Sequence, residues 1–104
     1  MDVYRVVLTV PAENDLRDIA RYISSQLNAP MTALKMIRTI KKAVSKLKSN
    51  ALIYPLVRDD RLASIGYRSF VVKNYIVFYI VREKERIADV DRILYGRREW
   101  KSIL

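Results

Sequence analysis

Residues 65–81 read IGYRSFVVKNYIVFYIV, and this stretch decides the fold. Two runs rich in β-branched and aromatic residues, 65–72 and 75–81, predict two strands. Only Lys73 and Asn74 lie between them, the length of a tight hairpin turn. Such turns need positive φ, which Asn tolerates and Lys adopts poorly. Downstream, Glu83-Lys84-Glu85 predicts a second turn, 86–95 a further strand, and Gly96 its end. Three strands joined by short turns form an antiparallel meander. Residues 97–104 predict a short terminal helix or tail.

Upstream of the meander, 50–64 holds Pro55 and two aspartates without a clean period, and is expected to be a loop. Before it, Ala33, Ile37, Ile40, Val44 and Leu47 recur at alternating four and three residues, the apolar stripe of a helix over 31–48. Asn28-Ala29-Pro30 separates that helix from an earlier one, whose face is Leu16, Ile19, Ala20, Ile23 and Leu27. Pro11 suits the first turn of the earlier helix, and Glu13 and Asp15 suit its dipole. A β-branched run over 3–10 precedes it as a first strand. The order is β-α-α-β-β-β, an α+β fold: an antiparallel sheet with a helical hairpin packed on one face. Residues 1–104 are expected to form one domain. The opposite sheet face is left as the candidate working surface.

Hydrophobic residues make up 51% of the chain, with two glycines and three prolines, which argues for a packed core rather than disorder. The absence of cysteine and histidine excludes disulfides, Cys/His metal sites and any mechanism needing an imidazole or thiol. No cofactor or metal is expected. No run approaches the roughly 20 apolar residues of a membrane span, and a cytoplasmic protein with no membrane partner is expected. The net charge is +9, and 28–50 holds six basic and no acidic residues. Such a surface attracts polyanions: RNA, DNA, ribosomes or an acidic protein.

No nucleotide loop, metalloprotease motif or nucleophile elbow occurs. Asp89 and Asp91 share one side of a strand, the pattern of a wet face. Arg92 falls in phase with apolar Ala88, Val90 and Leu94, so it must find a carboxylate, reach the sheet edge or face a ligand. Arg68 lies on the second strand. Tyr95, Arg97, Arg98 and Trp100 gather guanidiniums, which fork onto phosphates, with rings, which stack on bases. Arg68, Arg92, Arg97, Arg98 and Trp100 are therefore the candidate target-binding residues. Lys35, Arg38, Lys42 and Lys46 form a candidate nucleic-acid or partner surface.

The segments Ala12-Glu13-Asn14-Asp15-Leu16 through Ile19-Ala20-Arg21-Tyr22-Ile23, Gly66-Tyr67-Arg68-Ser69-Phe70, Asn74-Tyr75-Ile76-Val77-Phe78-Tyr79 and Arg92-Ile93-Leu94-Tyr95-Gly96-Arg97-Arg98 together resemble the RelE/ParE toxin superfamily over nearly the whole chain. The resemblance implies a toxin of a type II toxin–antitoxin system, neutralised by an antitoxin that wraps it with an extended or helical segment. A partner to so basic a toxin is expected to be acidic. RelE-type members cut mRNA on the ribosome, using basic residues to activate the ribose 2′-OH. ParE-type members poison DNA gyrase and need no catalytic residues. The nuclease pattern carries an arginine where Ile76 follows Tyr75 here, and a Lys-rich second strand where Arg68 is the one basic residue. The segment from Arg92 to Arg98 resembles the ParE-type ending, with Tyr95 where histidine is frequent. The expectation is a ParE-like gyrase inhibitor. The alternative is an mRNA endonuclease using Arg68, Arg92, Tyr95 and Arg97 or Arg98 as catalysts.

Overall fold

The computed structural model describes residues 3–104; Met1 and Asp2, included in the expected domain, lie outside the described residues. The meander forms as the sequence predicts. Strand β2 (Tyr67–Val72) pairs antiparallel with β3 (Tyr75–Arg82), which pairs antiparallel with β4 (Ile87–Tyr95). At the hairpin it is Lys73, not Asn74, that takes positive φ (55°). Strand β1 (Arg5–Leu8) adds to the far side of β4 and gives the order β1-β4-β3-β2. It runs parallel to β4, so the sheet expected to be antiparallel is mixed. The direction follows from the connection. The helices that follow β1 bring the chain back to where β1 began, with the Tyr4 amide donating to the Lys48 carbonyl at 2.8 Å. β2 therefore sets out in the same direction as β1, and the meander leaves β4 parallel to both.

Helix α1 (Val10–Arg21) starts at Thr9, whose hydroxyl accepts from the Ala12 amide at 3.2 Å, with Pro11 in the first turn. It runs into a π-helical segment, Tyr22–Gln26. The wider turn carries Leu27 off the apolar stripe, leaving it exposed while Leu16, Ile19 and Ile23 are buried. Asn28 at φ 53° makes the corner into α2 (Pro30–Ser45), and α3 (Leu47–Asn50) follows after a break at Lys46. Ala33, Ile40, Val44 and Leu47 are buried against the sheet, together with Phe70, Val77, Tyr79, Ala88 and Val90.

The expected loop over 50–64 contains a helix, α4 (Asp60–Ile65). Its signals were short-range. Asp59 caps it by accepting from the Leu62 amide at 3.0 Å, and Gly66 ends it at φ 107°. A Cβ at Gly66 has room, its nearest contact being Ile80 at 3.8 Å. The backbone conformation is what excludes a side chain. Gly66→Ala is therefore expected to cost about 1–2 kcal/mol, read from the shift in urea midpoint. An unchanged midpoint would show that α4 ends without needing the left-handed residue.

The sheet face expected to stay open is covered. α4 and α5 (Trp100–Ile103) lie over it, and Val57, Leu62, Tyr67, Phe78 and Leu94 form a second core with Ile76, Ile80 and Trp100 packed against them. The fourth strand changes phase at a β-bulge. Phe78 pairs with Arg92 but Tyr79 pairs with Val90, leaving Asp91 as the extra residue. Ala88, Val90 and Ile93 thus face the helical hairpin, whereas Leu94 faces the second core. The single phase read from Ala88 through Leu94 is broken at Asp91.

Two tyrosines tie the cores to polar partners. The Tyr79 hydroxyl donates to the Ala51 carbonyl at 2.7 Å, and the Tyr67 hydroxyl donates to the Asp91 carboxylate. Burial pushes both phenols up to about 12, and for Tyr67 the bond to Asp91 adds to the effect. Unfolded tyrosines ionise near 10. The two groups therefore contribute stability that is complete below pH about 10 and is lost as the pH rises through about 12. Tyrosinate absorbance from these two residues should appear only together with loss of the native circular dichroism. Their ionisation near pH 10 in a folded protein would contradict their burial. Among the described residues no helix is long and apolar enough to cross a membrane.

Candidate functional site

Arg92 meets the first of its three possible fates. Its Nε and Nη2 donate to the two Asp15 oxygens at 2.8 and 2.9 Å. The same carboxylate accepts the Ile93 amide at 2.9 Å. The arrangement follows from the length of β1, whose pairing with β4 stops at Val90. Beyond that point α1 takes over the strand edge. The Thr9 amide donates to the Val90 carbonyl at 3.0 Å, its hydroxyl to the Asp91 carbonyl at 2.9 Å, and Asp15 receives the next inward amide. Hydrogen bonding and charge from Asp15 raise the Arg92 pKa further. The sequence reads Asp15 only as an acid suited to the helix dipole, whereas it lies buried on the apolar side of its helix, between Ala12 and Ile19. Asp89, similarly, is held by Arg82 at 2.7 Å.

Arg68 donates to the Tyr54 carbonyl at 2.6 Å and pairs in register with Tyr79. Tyr95 pairs with Tyr75 at the start of β3. Four residues along that strand and two strand spacings across it separate the Arg68 and Tyr95 backbones by roughly 16 Å. The residues proposed for a nuclease are thus not gathered at one point.

Tyr95 and the residues after it do form a surface. The Gly96 amide donates to the Asn74 carbonyl at 2.8 Å, and a Cβ there would stand 3.3 Å from that oxygen. The close approach turns the chain off the sheet, and the Arg98 amide closes a turn onto the Tyr95 carbonyl at 2.9 Å. Arg97 and Arg98 project from it, both exposed. On the Arg98 side lies a cleft of about 650 Å³, with Tyr22, Leu27, Met36, Tyr75 and Tyr95 among its walls. The Tyr75 and Tyr95 rings meet edge to face at 5.8 Å. On the Arg97 side a shallower depression holds Val71, Lys73 and Ile76. Trp100 turns inward, its ring 5.2 Å from that of Phe78 and covered by the Lys101 ammonium at 5.6 Å. It anchors the tail on the second core and leaves Arg97 and Arg98 to the solvent. The π-helical wall, Tyr22 and Leu27 were not singled out as site residues. Lys35, Arg38, Lys42 and Lys46 stand exposed on α2 and at its C-terminus.

The chain folds as a mixed four-stranded sheet beneath a helical hairpin, closed by a basic tail. It is similar to a chain of the chromosomal ParDE toxin–antitoxin system from P. aeruginosa (TM-score 0.76, 19% identity, covering 91% of this chain and 98% of that one). It is also similar to a chain of the RelBE2 toxin–antitoxin complex from Mycobacterium tuberculosis (TM-score 0.60, 17% identity, covering 89% and 98%). The model of the ParE toxin of the type II toxin–antitoxin system parDE matches residues 6–100, and the chain belongs to that family. No curated protein matches it.

Proposed function

We propose that this toxin inhibits DNA gyrase and arrests growth until an acidic antitoxin neutralises it. The observation that carries the reading is the exposed Tyr95–Arg98 turn beside an aromatic cleft. The basic residues a nuclease would use are dispersed, and Arg92 is held by Asp15. A poison needs a binding surface and no proton-transfer apparatus, whereas cleavage of a ribose phosphate requires converging acid, base and cation.

Supercoiling of a relaxed plasmid by purified gyrase, with and without the protein, tests it. Inhibition or trapped cleavage, relieved by antitoxin, is the expected result. No effect from a preparation that stops cell growth would overturn the reading in favour of ribosome-dependent mRNA cleavage.

For the antitoxin, a groove of about 590 Å³ runs between β1 and the helical hairpin. Val6, Leu8, Leu16 and Val44 lie along it, with Arg17, Lys41 and one carboxylate, Glu13, at its sides. This suits an amphipathic segment whose apolar face fills the groove and whose acidic residues meet the cations.

A further inference from the structure

Four cations on α2 and at its C-terminus are used by neither the tail surface nor the antitoxin groove as described. Lys35, Arg38, Lys42 and Lys46 are spaced by three, four and four residues, so they share an arc of roughly 80° along about 16 Å of helix. They lie opposite the buried stripe of Ala33, Ile40 and Val44, and all four are exposed. No acidic residue occurs between Asp18 and Asp59, and none of the ion pairs among the described residues includes any of the four. Like charges at these spacings repel along a helix, so the array opposes the helix that carries it. A bound polyanion would relieve that repulsion.

The composition of the same face selects the polyanion. Between Tyr22 and Tyr54 there is no aromatic residue, so unpaired bases find no ring to stack on. Apart from Met31 and Leu34 in its first turns, α2 exposes no large apolar side chain, so along most of the array a protein partner finds no anchor for a desolvated hot spot. A duplex backbone needs neither, because lysines and arginines bind its phosphates and its bases stay stacked. The major groove of B-form DNA, about 12 Å wide, admits a helix, whereas that of A-form RNA is too narrow. We propose that the outer face of α2 binds duplex DNA through its phosphates, without sequence preference. The inference does not rest on gyrase being the target, and either can fail alone.

The test is fluorescence anisotropy of a labelled random-sequence DNA duplex at several salt concentrations. Four phosphate contacts predict a log–log salt slope of about −3.6, which is roughly a 150-fold loss of affinity between about 50 and 200 mM salt. The variant Lys35→Gln/Arg38→Gln/Lys42→Gln/Lys46→Gln is expected to bind at least about tenfold more weakly and with a flatter slope. A control of the same net charge, Arg5→Gln/Arg21→Gln/Arg58→Gln/Lys84→Gln, changes four exposed cations elsewhere and should keep its affinity within about twofold. Equal losses in both variants would overturn the proposal, since binding would then follow net charge alone. So would single-stranded DNA or duplex RNA binding as tightly as duplex DNA. Polyglutamate binding that depends on the four cations, with duplex binding that does not, would overturn it in favour of an acidic protein.

Discussion

Asp15→Ala is expected to lower the unfolding free energy by about 3–5 kcal/mol, a large share of the roughly 5–15 kcal/mol that stabilises a small domain. The Asp15 side chain is 8% exposed and that of Arg92 23%, so removing the carboxylate leaves a guanidinium largely out of water without its hydrogen-bonded partner, with only the charge of Asp91 still acting on it. It also strands the Ile93 amide, which Asp15 accepts at 2.9 Å, at the point where β1 no longer covers β4. The urea midpoint measures the loss. Replacing both partners, Asp15→Leu with Arg92→Met, should recover only part of it. The stranded charge disappears, but the buried amide still costs about 1–3 kcal/mol. A single variant as stable as the parent would show that the pair is not desolvated and that Arg92 is free to act elsewhere.

Arg97→Ala with Arg98→Ala should do the reverse. Both side chains are exposed, and the turn that carries them is held by backbone bonds from Gly96 and Arg98. The thermal midpoint should therefore hardly move, in line with changes of about 0.5 kcal/mol or less for surface sites. On the gyrase reading, each arginine acts as an interface anchor, and losing one costs about a factor of ten. The concentration that half-inhibits supercoiling should thus rise about a hundredfold for the pair. Unchanged potency would remove the tail from the target surface and direct attention to the cleft walls, Tyr22 and Tyr75. Together the two variants separate loss of toxicity through unfolding from loss through recognition.

The elements with a sustained period were legible in the sequence. The stripe from Ala33 to Leu47 and the β-branched and aromatic run from Tyr75 to Val81 each supply much of the core, and each is of the type the sequence predicts. α4 was not, because six residues are too few to show a helical period, and only Asp59 and Gly66 marked its ends. The phase of β4 was misread because a bulge adds one residue without any compositional mark. Asp91 looks like any wet-face acid until its partner strand is known. The parallel direction of β1 depends on where α2 returns the chain, which no local pattern records. At the site, the sequence offered arginines as equals. Only the fold distinguishes Arg92, taken by Asp15, and Arg68, bonded to Tyr54, from the two that remain in solvent. Lys73 adopts the turn conformation that propensity assigned to Asn74, a case where the strands on either side override local preference.

The pairing of β1 with β4 also fixes when this protein becomes a toxin. Arg5 lies beside Ile87, and Asp15 waits for Arg92 and Ile93. During synthesis at about 5–20 residues per second, β1 therefore spends roughly 4–16 seconds without its neighbour. The helical hairpin has nothing to bury its stripe against until the meander is made. The groove between β1 and the hairpin and the turn that presents Arg97 and Arg98 come into being together, late in translation. A chain without the meander has neither, so on the proposed reading the turn offered to the target and the groove offered to the antitoxin arise in the same event.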